Sequence, residues 1–129
     1  SRMCNGTAPT LYGGGAQTRD FVHVDDVARL LVDLATKPWK APPRSVYNVG
    51  TGTQTSLLDL VHTIAGALRA RGVDGEHLAP LVGPARSGDL NHSLADVAAI
   101  ASDLGWQAKV TLAEGLDDLV DAQVLQGPN

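Results

Sequence analysis

Residues 10–34, TLYGGGAQTRDFVHVDDVARLLVDL, carry the alternation that decides the fold class. Gly13, Gly14 and Gly15 separate a strand-like stretch, Thr10-Leu11-Tyr12, from a second one, Asp20 to Val24, because a glycine run interrupts regular structure. Val27, Leu30, Leu31 and Leu34 then recur at the three-and-four spacing of one buried helix face, with Asp25 or Asp26 as the expected cap and Pro38 as the stop. Lys37 to Arg44, with three prolines, reads as a surface connection. The pattern repeats downstream. Ser45 to Val49 reads as a mostly buried strand entering the turn Gly50 to Thr53. Ser56, with Asp59 three residues on, opens a second helix whose apolar face is Leu57, Leu60, Val61, Ile64 and Leu68 and whose end is marked by Gly72. Leu78 to Val82 is a further candidate strand, followed by the polar turn Pro84 to Asp89. A third helix is expected from Ser93 to the stop at Gly105, with Val97, Ile100 and Leu104 inward. A fourth starts at Thr111, capped with Glu114, carries Leu112, Leu116, Leu119 and Val120, and finishes before Gly127-Pro128. The sum is an α/β chain of four helices and three or four short strands. Its helices carry more apolar face than so small a sheet can cover, which predicts a missing partner.

A chain of 129 residues has room for one core, and its 43% hydrophobic and 19% charged residues lie in the globular range. Only 4% are aromatic, which favours helix-rich packing over a β-sandwich. A net charge of −4 argues against nucleic-acid binding, since phosphate backbones demand a basic face. Cys4 has no mate for a disulfide, and no apolar run approaches the roughly 20 residues that span a bilayer, so a soluble cytoplasmic protein without membrane contact is expected. His23, His62, His77 and His92 are scattered at no ligand spacing, so no metal site is expected. The tripeptides at Asn5 and Asn91 fit glycosylation sequons but count for little in an intracellular chain.

Two features could bind a phosphate. Gly50-Thr51-Gly52, after a strand and before a helix, superficially resembles a dinucleotide loop, yet Thr55 stands where the third glycine would fall and no acidic strand end follows about 20 residues on. It reads as a tight turn, without cofactor-binding residues. Arg19 and Arg86 each sit in a polar turn. Each can pair with a neighbouring aspartate at the surface, or the two can converge and bracket a pyrophosphate with their guanidinium forks.

Taken in order, Leu11-Tyr12-Gly13-Gly14-Gly15-Ala16-Gln17-Thr18-Arg19-Asp20-Phe21-Val22-His23-Val24-Asp25-Asp26-Val27-Ala28, Val46-Tyr47-Asn48-Val49-Gly50-Thr51-Gly52, Arg86-Ser87-Gly88-Asp89 and Asp103-Leu104-Gly105-Trp106 resemble the C-terminal part of the NAD-dependent epimerase/dehydratase family. These are the extended short-chain dehydrogenases typified by UDP-glucose 4-epimerase. The resemblance covers nearly the whole chain and implies a helix-rich substrate-binding portion over residues 1–129, including segments that would complete a Rossmann half that is absent. It implies that Arg19 and Arg86 hold the nucleotide diphosphate and that Asp89 accepts from ribose hydroxyls. Around Leu11 and Tyr12, main-chain groups and an aromatic or apolar side chain would flank the base. Asp20 would pair with a base or cap a turn, Asp26 would cap the first helix, and Trp106 would plug the core.

Family members use NAD and a Tyr-x-x-x-Lys pair to move hydride and proton, whereas here Tyr12 is followed by Ala16 and Tyr47 by Thr51, so no catalytic residue is assigned. The resemblance therefore implies that the chain alone neither turns over nor binds NAD, that its ligand is a nucleotide-sugar such as UDP-glucose or UDP-galactose, and that its uncovered faces self-associate. Epimerisation, 4,6-dehydration and decarboxylation are not distinguished. The alternative is a stand-alone, non-catalytic module that binds a nucleotide-sugar or a protein; an RNA-binding relative is disfavoured by the charge.

Overall fold

The apolar periodicities resolve into two cores. In the structure, a computed structural model that describes residues 2–38 and 44–125, helix α2 (Leu57–Ala70) turns Val61, Ala65 and Leu68 inward and packs on α4 (Leu112–Leu125). Met3, Leu11, Leu78 and Val120 complete this cluster. Arg71, just past α2, straps the two helices together through Asp117 and Asp121 of α4 at 3.0 and 2.5 Å. The second cluster joins Leu30 of α1 (Val24–Thr36), Ile100 of α3 (Ala98–Leu104) and Trp106, the expected plug, with Tyr47 and Val49 at its margin.

The caps of α2 and α4 and the end of α3 form as the sequence predicts. The Asp59 amide donates to Ser56 Oγ at 2.9 Å at the start of α2. Thr111 and Glu114 bond reciprocally ahead of α4, and Gly105 takes the left-handed conformation that ends α3. The strands are short. β1 (Thr10–Tyr12) runs parallel to β4 (Leu81–Gly83), and β2 (Thr18–Arg19) antiparallel to β3 (Thr55–Ser56). Thr18 also bridges to His92, its amide donating to Asn91 O at 2.8 Å.

Several boundaries differ from the sequence reading. Asp20 to Val24 is not a strand, since pairing occurs two residues earlier in β2. Helix α1 is capped by His23, whose Nδ1 accepts from the Asp25 amide, and not by Asp25 or Asp26. Asp26 is instead wholly buried and accepts from the amides of Lys109 and Val110 and from Arg29. Of the expected α1 face Leu30 is buried, whereas Leu31 is 61% and Leu34 40% exposed. Ser45 to Val49 packs Tyr47 and Val49 inward but has no ladder partner among the described residues, and Val46 is 76% exposed. Leu78 belongs to a 3-10 turn, and β4 begins only at Leu81. Helix α3 starts at Ala98 because residues 91–93 are paired with Thr18 and the Ala95 amide is held by Asp20. Most of the proline-rich connection and Gly127-Pro128 lie outside the described residues.

Asp20 ties these segments together. Its Oδ1 accepts from the Thr51 amide at 2.9 Å and from Thr51 Oγ1 at 2.5 Å, while Oδ2 accepts from the amides of Gly52 at 2.9 Å and Ala95 at 3.4 Å. Burial pushes this carboxyl up, but the donors from Thr51, Gly52 and Ala95 outweigh it and hold it below the usual carboxylate range. Gly50 is what permits the approach: a Cβ there would lie 2.6 Å from both Ala95 Cβ and Asp20 Oδ2.

Three stability predictions result. Asp26→Ala strands two buried amides and the Arg29 guanidinium, and should cost about 2–4 kcal/mol in urea unfolding near pH 7. The Asp26 pKa is raised by burial and lowered further by its donors, with a net value below that of the unfolded chain. Its stabilisation is therefore full above the unfolded value and lost as pH falls through the folded one, so the gap between parent and variant should close in acid. Gly50→Ala should cost about 1–3 kcal/mol by the same measurement. Gly66→Ala, in α2 with open space around it, should instead stabilise by about 0.5–1 kcal/mol.

Candidate functional site

At the ends of the parallel pair β1–β4 both chains turn, one through Gly13 to Gly15 and the other through Pro84 to Asp89. All three glycines have φ between +65° and +78°, a region that side chains avoid. Between these turns lies a cleft of about 220 Å³ whose lining includes Tyr12, Gln17, Arg86, Asp89, Asn91 and His92. Arg86 lays its guanidinium carbon 3.7 Å from the centre of the Tyr12 ring. Gln17 Nε2 donates to Tyr12 O at 2.9 Å and to Asp89 Oδ2 at 3.3 Å, which ties the floor to the acid.

Arg19 stands beside this cleft. Its Nη2 donates to Asp89 Oδ1 at 2.9 Å, and its Nη1 to the carbonyls of Leu90 at 2.7 Å and Thr18 at 2.8 Å. The arginine therefore pairs with Asp89 and not with its neighbour Asp20, whose carboxylate is engaged at the Thr51-Gly52 turn. His92 Nδ1 lies 3.0 Å from Thr18 Oγ1, which closes the far side.

Of the residues singled out in the sequence, Tyr12, Arg86 and Asp89 line the cleft, and Arg19 joins them through Asp89. Leu11 does not reach it with its side chain, which is buried in the first core, while its position in β1 pairs with Val82. Sequence reasoning missed Gln17, Asn91 and His92. The available signal was proximity: Gln17 lies two residues before Arg19, and Asn91 and His92 follow Asp89 closely.

A larger groove of about 570 Å³ runs past Phe21, Val22, Leu60, Ile64 and Leu116. Among the described residues no lysine or arginine lines it, so it offers no cation to a diphosphate. The Gly50 to Gly52 turn does not fit the pyrophosphate of NAD either. Such a turn would present backbone N–H groups to the ligand, and here the amides of Thr51 and Gly52 both point at Asp20. Among the described residues no three His, Cys, Asp or Glu side chains gather as a metal would require, and no helix is long and apolar enough to cross a membrane.

Known proteins resemble this chain over most of its length. The family model described as GDP-mannose 4,6 dehydratase matches residues 1–119. The UDP-glucose 4-epimerase of Mycolicibacterium smegmatis is 40% identical over 116 residues, which cover 90% of this chain and 34% of that protein. The dTDP-L-rhamnose 4-epimerase of Burkholderia thailandensis is 34% identical over 109 residues, covering 84% of this chain and 28% of its own. Among solved structures, the UDP-glucose 4-epimerase of Thermotoga maritima with UDP-glucose superposes with a TM-score of 0.76 at 35% identity, over 93% of this chain and 36% of that one. The chain thus spans about a third of the length of these relatives. The match over 119 residues and these likenesses establish that the chain belongs to the GDP-mannose 4,6-dehydratase family, among the NAD-dependent epimerases and dehydratases, and corresponds to their C-terminal part.

Proposed function

We propose that this chain is the nucleotide-sugar-binding portion of an NAD-dependent epimerase or dehydratase, and that its cleft grips the diphosphate of a ligand such as UDP-glucose or UDP-galactose. The observation that carries this reading is that Tyr12, Arg86 and Asp89, from distant stretches of the chain, line one small cavity beside which Asp89 holds Arg19. In a chain of net charge −4, two guanidinium groups at one cleft are a local reversal of sign. The exposed Arg86 fork suits phosphate oxygens, Arg19 would turn to the ligand part of a fork that now donates to Asp89 and to the Leu90 and Thr18 carbonyls, and the Asp89 carboxylate suits the ribose diol.

The volume supports a division of labour. At about 220 Å³ the cleft is smaller than the roughly 300–1,000 Å³ typical of ligand pockets, so it has room for the diphosphate and part of the nucleoside while the sugar projects outward. A pivot of this kind leaves the sugar ring accessible to chemistry supplied from elsewhere. When bound, NAD supplies hydride transfer in such enzymes. The residues of this chain bind and orient. The uncovered Leu31, Val32 and Val46 fit a surface that a cofactor-binding half would cover and that could self-associate without it. The Thermotoga maritima enzyme was solved with UDP-glucose, which favours a UDP-sugar as ligand here.

Calorimetric titration tests this reading. Arg19→Ala and Arg86→Ala should each weaken UDP-sugar binding by about tenfold to a hundredfold, with lysine restoring only part because it keeps the charge and loses the fork. Asp89→Ala should weaken the ribonucleotide more than its 2′-deoxy analogue, in addition to loosening Arg19. NAD should give no heat with this chain at micromolar concentrations. Unchanged UDP-sugar affinity in all three variants would reject the site.

A further inference from the structure

One face of the Tyr12 ring is taken by Arg86. The ring lies across Gly83, its partner in the β1–β4 ladder: a Cβ at Gly83 would fall 2.9 Å from Tyr12 Cδ1 and 3.1 Å from Cε1. The absence of a side chain at Gly83 is what seats the ring. Arg86, three residues beyond Gly83, places its guanidinium carbon 3.7 Å from the ring centroid, at stacking distance. A guanidinium in this arrangement is attracted by the ring's negative face, while its N–H groups, which lie in its own plane, remain aimed sideways. Arg86 is exposed and sits on a turn, where a long side chain would otherwise sample many rotamers and lose that freedom on binding.

We propose that Tyr12 is a positioning residue: seated on Gly83, its ring holds the Arg86 guanidinium over the cleft so that the charge is in place before the diphosphate arrives. This rests on the diphosphate reading given above and changes the role of Tyr12 within it. The base is then recognised by groups other than the Tyr12 ring face, and the ring acts on the ligand through Arg86.

The test compares UDP with uridine, titrated into the protein and its variants with circular dichroism as a check on folding. Tyr12→Leu should weaken UDP binding by about threefold to tenfold, leave uridine binding within twofold, and have no further effect in an Arg86→Ala background. Tyr12→Phe, which keeps the ring, should restore most of the affinity. Gly83→Ala, which displaces the ring without changing it, should reproduce the selective loss of UDP. The proposal is overturned if Tyr12→Leu weakens uridine as much as UDP, as a base-stacking ring would. It is equally overturned if Tyr12→Leu leaves UDP binding unchanged or keeps its full effect without Arg86. A failure of the diphosphate reading has a different signature: the parent would bind UDP no more tightly than uridine, and the proposal would fall with it.

Discussion

The structure depends on one carboxylate. Asp20 accepts four hydrogen bonds from two chain segments, the turn at Thr51-Gly52 and the stretch at Ala95, while its own neighbours Thr18 and Arg19 form β2. A half-buried charge is tolerable only when donors replace the water it has lost, and here they more than do so. Successive side chains on extended backbone point to opposite sides, so with Asp20 committed to the turn, Arg19 is directed the other way, toward Asp89. The knot that closes the fold therefore also aims an arginine of the cleft. It occupies, in addition, the Thr51 and Gly52 amides, the donors by which a glycine turn holds a dinucleotide.

What was legible in the sequence follows the range of the interactions. The capping pairs Ser56 with Asp59 and Thr111 with Glu114, and the stop at Gly105, involve residues within one helical turn, and all three form. Asp26 is not the cap the spacing suggests because the two amides it accepts from lie 83 and 84 residues away, and nothing in the sequence around it reveals them. The start of α3 shifted for the same reason, since Thr18 and Asp20 hold residues 91–95 across the fold. Periodicity marks the face of α1, but it does not say that Leu30 is buried while Leu31 and Leu34 stay exposed in this chain. At the site the residue types were legible, and the motif order implied their roles. Their partnerships were not: Arg19 meets Asp89 across 70 residues, and Arg86 meets the Tyr12 ring.

The two cavities show how chemistry selects a site over size. The larger groove is mostly apolar and no described lysine or arginine lines it, whereas the smaller cleft is lined by Arg86, Asp89, the amides of Gln17 and Asn91 and the His92 imidazole, with Arg19 beside it. Within it the charges are organised before a ligand arrives. Asp89 holds Arg19, Gln17 holds Asp89, and the ring of Tyr12 carries Arg86. Interactions of this kind are each modest at a surface, but together they remove rotamer freedom that binding would otherwise have to overcome. On the proposed reading, the residues of this chain grip the nucleotide and leave the sugar to chemistry supplied from elsewhere.

The account is tested most directly by titrating UDP into isotope-labelled protein and following backbone and arginine side-chain resonances by NMR. The largest shifts should gather at Tyr12 to Gln17 and Arg86 to His92, with the Nε signals of Arg19 and Arg86 moving along the same binding curve. Shifts concentrated instead around Phe21, Leu60 and Leu116, or at the Gly50 to Gly52 turn, would contradict it.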